Sequence, residues 1–390
     1  MAGMATRIYL DWNATTPLRR EAKAAMAQAW EIGGNPSSVH AEGREARRLV
    51  EGARAAVAAA VGAEAANVIF TSGGTEANSL ALTPGLRRGK GPAVQRLLTS
   101  AIEHASVLSG GRFASDAVGR IGVTREGIVD LDRLRMLLDA PPALVSIMLA
   151  NNETGAIQPV AEAARLVHEA GGLLHVDAVQ ALGKTHFDVA STGADLISLS
   201  AHKIGGPKGV GALVLADGVG GLAPLLRGGG QEKGRRAGTE DVAGIAGFGA
   251  AAKAALACRE SDARRVEGLR DRLETGLAQT PGAVVFAQRA ERLPNTILFA
   301  IPGLRAETAV IGFDLAGIAV SSGSACSSGK VQPSHVVEAM GYGADLAQGA
   351  VRLSLGWSTS DADIDRCLEA WRKLAGVLTK ESDETRLERF

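Results

Sequence analysis

The sequence predicts an α/β fold, with a large domain on a mostly parallel sheet and a smaller α+β domain. Three observations predict it. The strand candidates are apolar along their whole length, as strands covered on both faces are. Longer helical patterns alternate with them, which is the rhythm of strand–helix–strand crossovers. After about residue 260 that rhythm changes.

Along the chain, Arg19–Trp30 and Ala41–Val61 carry helical patterns before the first strand candidate, Val68–Thr71. A helix over Glu76–Leu86 leads to the strands Gln95–Thr99 and, after the helix Leu131–Asp139, Leu144–Leu149. Val160–Glu169 reads as the next helix, followed by the strands Leu173–Val176, Leu196–Ser200 and Val210–Leu215 and the helix Val242–Ala257. A charged helix, Arg264–Leu277, then precedes "VVFA", "NTILFAI", "IAVSSGSAC" and "VRLSLG". The expected division is a large domain over residues 16–259, with residues 1–15 and 260–390 forming the small one.

Composition excludes several classes of function. Among 390 residues, Lys+Arg and Asp+Glu both number 42, so no global field draws nucleic acid or an acidic membrane. Aromatics are 4% of the chain, too few for a base-stacking surface. No apolar run approaches bilayer length, and "MAGMATRIYLDW" lacks a secretory pattern, so the expectation is a cytoplasmic, soluble protein. The three cysteines are scattered and show no metal-ligand spacing. Cys258 and Cys367 sit in helical patterns as small core or interface hydrophobes, whereas Cys326 lies in "SSGSACSSGK", a small-residue loop where a structural thiol gains nothing. Cys326 is therefore read as reactive.

Chemistry-bearing residues collect after the strands, where ligands bind in open α/β sheets. "FTSGGTEAN" puts Gly74 and Thr75 where a helix begins, as an anion site or as a plain helix cap. His104 follows another strand and by itself reads as a helix-entry residue. Asn151 and Asn152 follow a third. Asp177 ends "LLHVD" with Gln180 three residues on; a buried carboxylate there needs a cation, either a structural partner or a protonated pyridine nitrogen. In "LISLSAHKIGGPKGVGALVL", Ser200, His202 and Lys203 close a fourth strand. Lys203 alone divides evenly between a phosphate-contacting and a covalent role. A phosphate cradle, a carboxylate, an imidazole and a lysine on one crevice are what pyridoxal 5'-phosphate needs, and this favours the covalent role.

These motifs, with "YLDWNATTP", "GNPSSVH", "LANNETGAIQP", "GGGQEKGRRAGTED", "PSHVVEAMG" and "VRLSLG", run nearly the length of the chain. The sequence resembles cysteine desulfurases of the NifS/IscS type, fold-type I, class V aminotransferase-like pyridoxal-phosphate enzymes. The resemblance implies Lys203 as the cofactor-holding lysine, His104 stacked on the ring, Asp177 at the pyridine nitrogen and Gln180 at the ring hydroxyl. It implies Asn152 near ring and substrate, Gly74, Thr75, Ser200 and His202 at the phosphate, and Thr239 reaching in from the second subunit of a homodimer. Arg352 is the expected clamp for the substrate carboxylate.

Cys326 is the expected sulfur acceptor. It passes the sulfur to an acceptor or iron–sulfur scaffold protein, and no resident metal is implied beyond transient ligation of a shared cluster by Cys326. Two features depart from the family pattern: Ala201 before His202, and the tail "LTKESDETRLERF", unlike those that dock a scaffold. Alternatives on the same fold are a selenocysteine lyase, a cysteine-sulfinate desulfinase and an aminotransferase, the last having no use for Cys326. Alternatives of other classes are an inactive binding scaffold, opposed by the retained Lys203, Asp177, His104 and Cys326, and nucleic-acid binding through "EKGRRAG", opposed by the neutral charge.

Overall fold

The computed structural model describes residues 7–323 and 332–387, with side chains through residue 376. Its main sheet runs Val68–Thr71, Gly211–Leu215, Leu196–Ser200, Leu173–Asp177, Ala143–Met148, Arg96–Ser100 and Val118–Ile121 in spatial order. The first five are buried at every residue, as their mostly apolar composition requires, and the polar residues among them, such as His175 and Ser198, are bonded to one another. Four pairings are parallel. Gly211–Leu215 is antiparallel to both neighbours, because residues 201–210 are too few for the crossover a parallel connection needs. Val68–Thr71 therefore points the same way as the five parallel strands, and six carboxyl ends share one edge.

Val118–Ile121 is absent from the sequence expectation. It is the outer strand, only partly buried, and carries Gly119 and Arg120, so it lacks the apolar signal of the others. The helix expected over Glu76–Leu86 runs instead over Gly74–Ala81, since Pro84 disfavours helical backbone just before it. The expected helices Val242–Ala257 and Arg264–Leu277 are one helix, Val242–Ala278, passing straight through residues 259 and 260. No glycine or proline interrupts residues 257–267, and most of them are good helix formers. Contrary to the sequence expectation, this helix is long and apolar enough to cross a bilayer, but half of its apolar window is buried inside the chain. It packs on Arg20–Trp30 and Ala41–Ala60. Cys258 on it is exposed rather than in the core of this chain; Cys367 is buried, as its spacing implied.

A second, antiparallel sheet orders Val284–Val285, Thr296–Ala300, Val351–Ser354 and Ser321–Ser322. Phe299 and Phe313 pack on Trp371 at 4.9 and 5.9 Å, in a core separate from that of the main sheet and including Ile8 and Leu10. The chain start lies beside this sheet: Ile8–Tyr9 pairs in parallel with Ile318–Ala319 as a separate two-stranded sheet, and Asp11 bridges to Ser354 of the second sheet. It then crosses toward the main sheet at Asp11–Thr16.

That crossing depends on one close approach. A Cβ on Gly356 would lie 2.0 Å from the ring of Trp12, which is buried, edge-packed on Trp357 at 4.6 Å, and bonded through Nε1 to the Tyr9 carbonyl. The Gly356→Ala variant is expected to lose about 3 kcal/mol of stability, measured by chemical denaturation. An unchanged midpoint would mean that the Trp12 ring moves aside freely.

Candidate active site

A cleft of about 250 Å³ lies at the shared edge of the main sheet. Its lining includes Gly74, Thr75, His104, Asn152, Asp177, Gln180, Ser200, His202, Lys203 and Arg352. Ten of the twelve residues singled out from the sequence thus meet in one place. Thr239 lines a different cavity, with Thr71, Ser72 and Arg236. Cys326 lies outside the described residues.

The floor of the cleft follows from strand ends. Asp177 closes Leu173–Asp177 with its carboxylate accepting from Asn78 Nδ2 at 2.8 Å and the Val179 N–H at 3.0 Å. Asn78 Nδ2 also donates to Ser106 Oγ at 2.9 Å, which lies 2.8 Å from His104 Nδ1. His104 caps the short helix Ala105–Leu108, its Nδ1 accepting the Ser106 N–H. With Nδ1 an acceptor, the neutral ring carries its proton on Nε2. Two histidines nearby, one buried and one half-buried, are held neutral. His175, between Ser146 Oγ and Ser198 Oγ, is pushed down to about 4 by burial. His202 is also pushed down to about 4, by burial first and then by Lys203, Lys208 and Lys184.

The anion end sits at Gly74–Ala81. Gly73, before it, has φ of 152°, a conformation open essentially to glycine alone, and Gly74 and Thr75 at the helix start line the cleft. Ser200 Oγ is buried there with no hydrogen-bond partner among the described residues. An unbonded buried hydroxyl beside a helix start fits a phosphate oxygen. Together with the Lys203 amine and the Asp177 carboxylate, the donor set suits pyridoxal 5'-phosphate.

The opposite wall comes from the second sheet and the chain start. Arg352, 2% exposed, donates to Asp11 Oδ1 at 2.9 Å and to the Asn152 carbonyl at 3.0 Å, while its Nε has no partner among the described residues. Lys203 Nζ donates to the carbonyls of Asn13 and Ala14, the latter at 2.9 Å. Gln180 donates to the same Asn13 carbonyl at 2.9 Å and accepts from Lys184 Nζ at 2.7 Å. A carbonyl only accepts, so the Asn13 contact alone fixes the Gln180 amide with its nitrogen toward Asn13 and its oxygen toward Lys184. Burial drives the Lys184 amine well below the usual lysine range, and the charges of Lys203 and Arg352 add to this.

Sequence reasoning missed Asn13, Asn78, Ser106, Lys184 and Glu103. Lys184, four residues after Gln180 in "QALGK", was the most visible signal. The others are ordinary polar residues that reach the site through partners 28 or more positions away, beside any local bonds they make.

The chain belongs to the pyridoxal-phosphate-dependent class of α/β enzymes. Its family is aminotransferase class-V, whose model matches residues 8–367. A cysteine desulfurase of Cereibacter sphaeroides is 48% identical, covering 93% of this chain and 94% of that protein. The cysteine desulfurase NifS of Azotobacter vinelandii is 42% identical, covering 93% of this chain and 90% of that protein. A NifS-like protein from Rickettsia africae superposes with a TM-score of 0.86 at 35% identity, covering 94% of this chain and 99% of its own.

Glu103 is fully buried beneath the cleft, accepting from Ser100 Oγ and the Met148 N–H at 2.7 Å each. Burial, with a smaller contribution from Asp177, pushes its carboxyl up to about 8. The native state thus holds a proton that the unfolded chain releases near the ordinary glutamate value. Stability falls as pH rises through that window and levels off above it. Glu103→Gln should remove this slope, on the order of 1 kcal/mol per pH unit, in denaturation measured at several pH values from acid to mildly alkaline. Parallel pH profiles for the two proteins would show Glu103 ionised in the native state.

Proposed function

We propose that this chain is an L-cysteine desulfurase that releases L-alanine and keeps the sulfur as a persulfide on Cys326 for an acceptor protein. The observation that carries the proposal is the meeting of the Lys203 amine, the Asp177 carboxylate and the Arg352 guanidinium in one cleft. The names of the relatives support the choice of substrate.

Lys203 and Asp177 would hold pyridoxal 5'-phosphate, with Gly74, Thr75, Ser200 and His202 at its phosphate, Gln180 at its ring hydroxyl and His104 over its face. When bound, the cofactor supplies a carbonyl for the substrate amine and an electron-withdrawing ring that lets the Cα proton leave. The Asp177 carboxylate, held by Asn78 and the Val179 N–H, would face the ring nitrogen. Arg352 takes the substrate carboxylate through its unbonded Nε edge, and its pairing with Asp11 fixes that edge in place. Lys203 Nζ, braced by the Asn13 and Ala14 carbonyls, receives the Cα proton. The Cys326 thiolate attacks the substrate sulfur, the carbon–sulfur bond breaks, and its electron pair stays on the substrate carbon. His104 Nε2 holds a proton for exchange at that step. The protein is proposed to act in the cytoplasm, as a homodimer.

Lys203→Ala should give a protein without the yellow colour of bound cofactor. Cys326→Ser should keep the colour yet lose alanine formation from L-cysteine by about a hundredfold or more, since a serine hydroxyl does not ionise near neutral pH. Near-normal alanine and sulfide release by Cys326→Ser would move the assignment to a lyase.

The dimer has its own test. Thr239 sits away from the cleft on a segment anchored by the buried Arg54–Glu232 pair, where Glu232 and Lys233 have φ of 49° and 57°. This supports its serving a partner's site. Mixed dimers of Lys203→Ala and Thr239→Ala subunits should recover activity that neither variant has alone, because one site keeps both residues. An active monomer by light scattering would exclude the shared site.

A further inference from the structure

Glu153 is a buried carboxyl that the proposed chemistry leaves unused. It follows Asn152 in "LANNETG", and its backbone is fixed because Asn151 Oδ1 accepts the N–H groups of both Glu153 and Thr154 at 2.9 Å. Its Oε2 accepts from Ser334 Oγ at 2.5 Å. Ser334 Oγ in turn accepts the Val337 N–H at 3.1 Å as a helix cap, so its own hydrogen is committed to Glu153. A Cβ on Gly323 would lie 2.8 Å from the same Oε2 and 3.1 Å from the Ser334 Cβ. Gly323 and Ser334 therefore touch, although ten residues, 324–333, lie between them in the chain. Their backbones are tied to one further stretch: the Gly323 N–H donates to the Ala350 carbonyl at 2.9 Å, and the Ser334 N–H to the Ala347 carbonyl at 3.0 Å. Cys326 belongs to the ten residues bounded by this neck.

We propose that Glu153 is a positioning residue for sulfur transfer: its carboxyl clasps Ser334 against Gly323 and holds together the two ends of the segment that carries Cys326. The proposal rests on the desulfurase reading for its consequence, and on described residues for its geometry. Closing the ends of a ten-residue segment has an entropic cost, and a strong bond at the neck offsets it. The strength of that bond depends on charge. A carboxylate accepts the Ser334 hydrogen in a charge-assisted bond, about twice as strong as the neutral one. Burial raises the Glu153 carboxyl to about 7. Arg352, on Val351–Ser354, and His104, ahead of Ala105–Leu108, face it and favour the ionised form. The clasp is tight above that pH and weakens below it.

The test uses the holoenzyme and Glu153→Gln, which keeps the shape and loses the charge, with Ser334→Ala as a second variant and thermal melts to verify folding. Lys330 is the one tryptic site within residues 324–333. Limited trypsin digestion, read at the peptide bond after Lys330, should be about threefold faster in both variants than in wild type at mildly alkaline pH. The Glu153→Gln to wild-type ratio should approach one at mildly acidic pH, where Glu153 is itself neutral. Trypsin's own pH dependence cancels in the ratio.

In single-turnover assays, persulfide formation on Cys326 should slow by about the same factor at saturating L-cysteine, with half-saturation unchanged. Equal cleavage of folded wild type and variants at both pH values would overturn the clasp. So would a cleavage ratio that does not change with pH. Absence of persulfide in every protein, wild type included, would overturn the desulfurase reading instead, and the trypsin result would still decide the clasp.

Discussion

Asn13 is bonded through every polar atom it has, and the bonds reach both sheets. Its N–H donates to Ser354 Oγ, and its carbonyl accepts from Gln180 and Lys203. Its side-chain oxygen accepts from Lys184 and Asn295, and its side-chain nitrogen donates to the Asn152 carbonyl and to Thr296 Oγ1. Four of these partners lie at the cleft edge of the main sheet and three on the second sheet or just before it. A 1% exposed amide with all its capacity used joins the two sheets at the floor of the site. The positions of Lys203, Gln180 and Arg352 relative to one another depend on this seam, because Arg352 reaches the same Asn152 carbonyl from the other side.

The electrostatics of the cleft follow from what the seam brings together. Lys203 and Arg352 stand on one wall and Lys184 behind them, while Asp177 and Asp11 are the carboxylates that face them or pair with them. Neutral His175 and His202 add no charge at neutral pH. Such an arrangement favours ligands that carry anionic groups, as a phosphate ester and an amino acid both do.

The sequence exposed the main sheet well because burial on both faces leaves strands with no polar alternation to confuse the period. It exposed the cleft for a related reason: polar residues directly after apolar runs stand out, and parallel strands bring such ends together. What it concealed has no local signature. Val118–Ile121 is an outer strand with a glycine and an arginine, and the fusion of two helices into Val242–Ala278 depends on the absence of a breaker rather than on a positive signal. Asn13 and Asn78 act through partners far along the chain, so their spacing carries no information. Ten site residues were legible; the bonds that orient them were not.

The three thiols show how position decides reactivity on one chain. Cys367 is packed beside Trp371 in the core of the second sheet, and burial pushes its thiol up to about 12, so it stays protonated and inert at neutral pH. Cys258 is exposed on the long helix and does not line the cleft. Neither can meet a substrate bound against Arg352. Cys326 is different because of where its segment starts and ends. Gly323 and Ser334 both contact Glu153, and Glu153 adjoins Asn152, whose carbonyl binds Arg352. The neck of the Cys326 segment is thus built on the same turn as the wall that would hold the substrate carboxylate. A thiol that must collect sulfur beside the cofactor and deliver it elsewhere needs such an anchor: fixed at its base and close to the substrate.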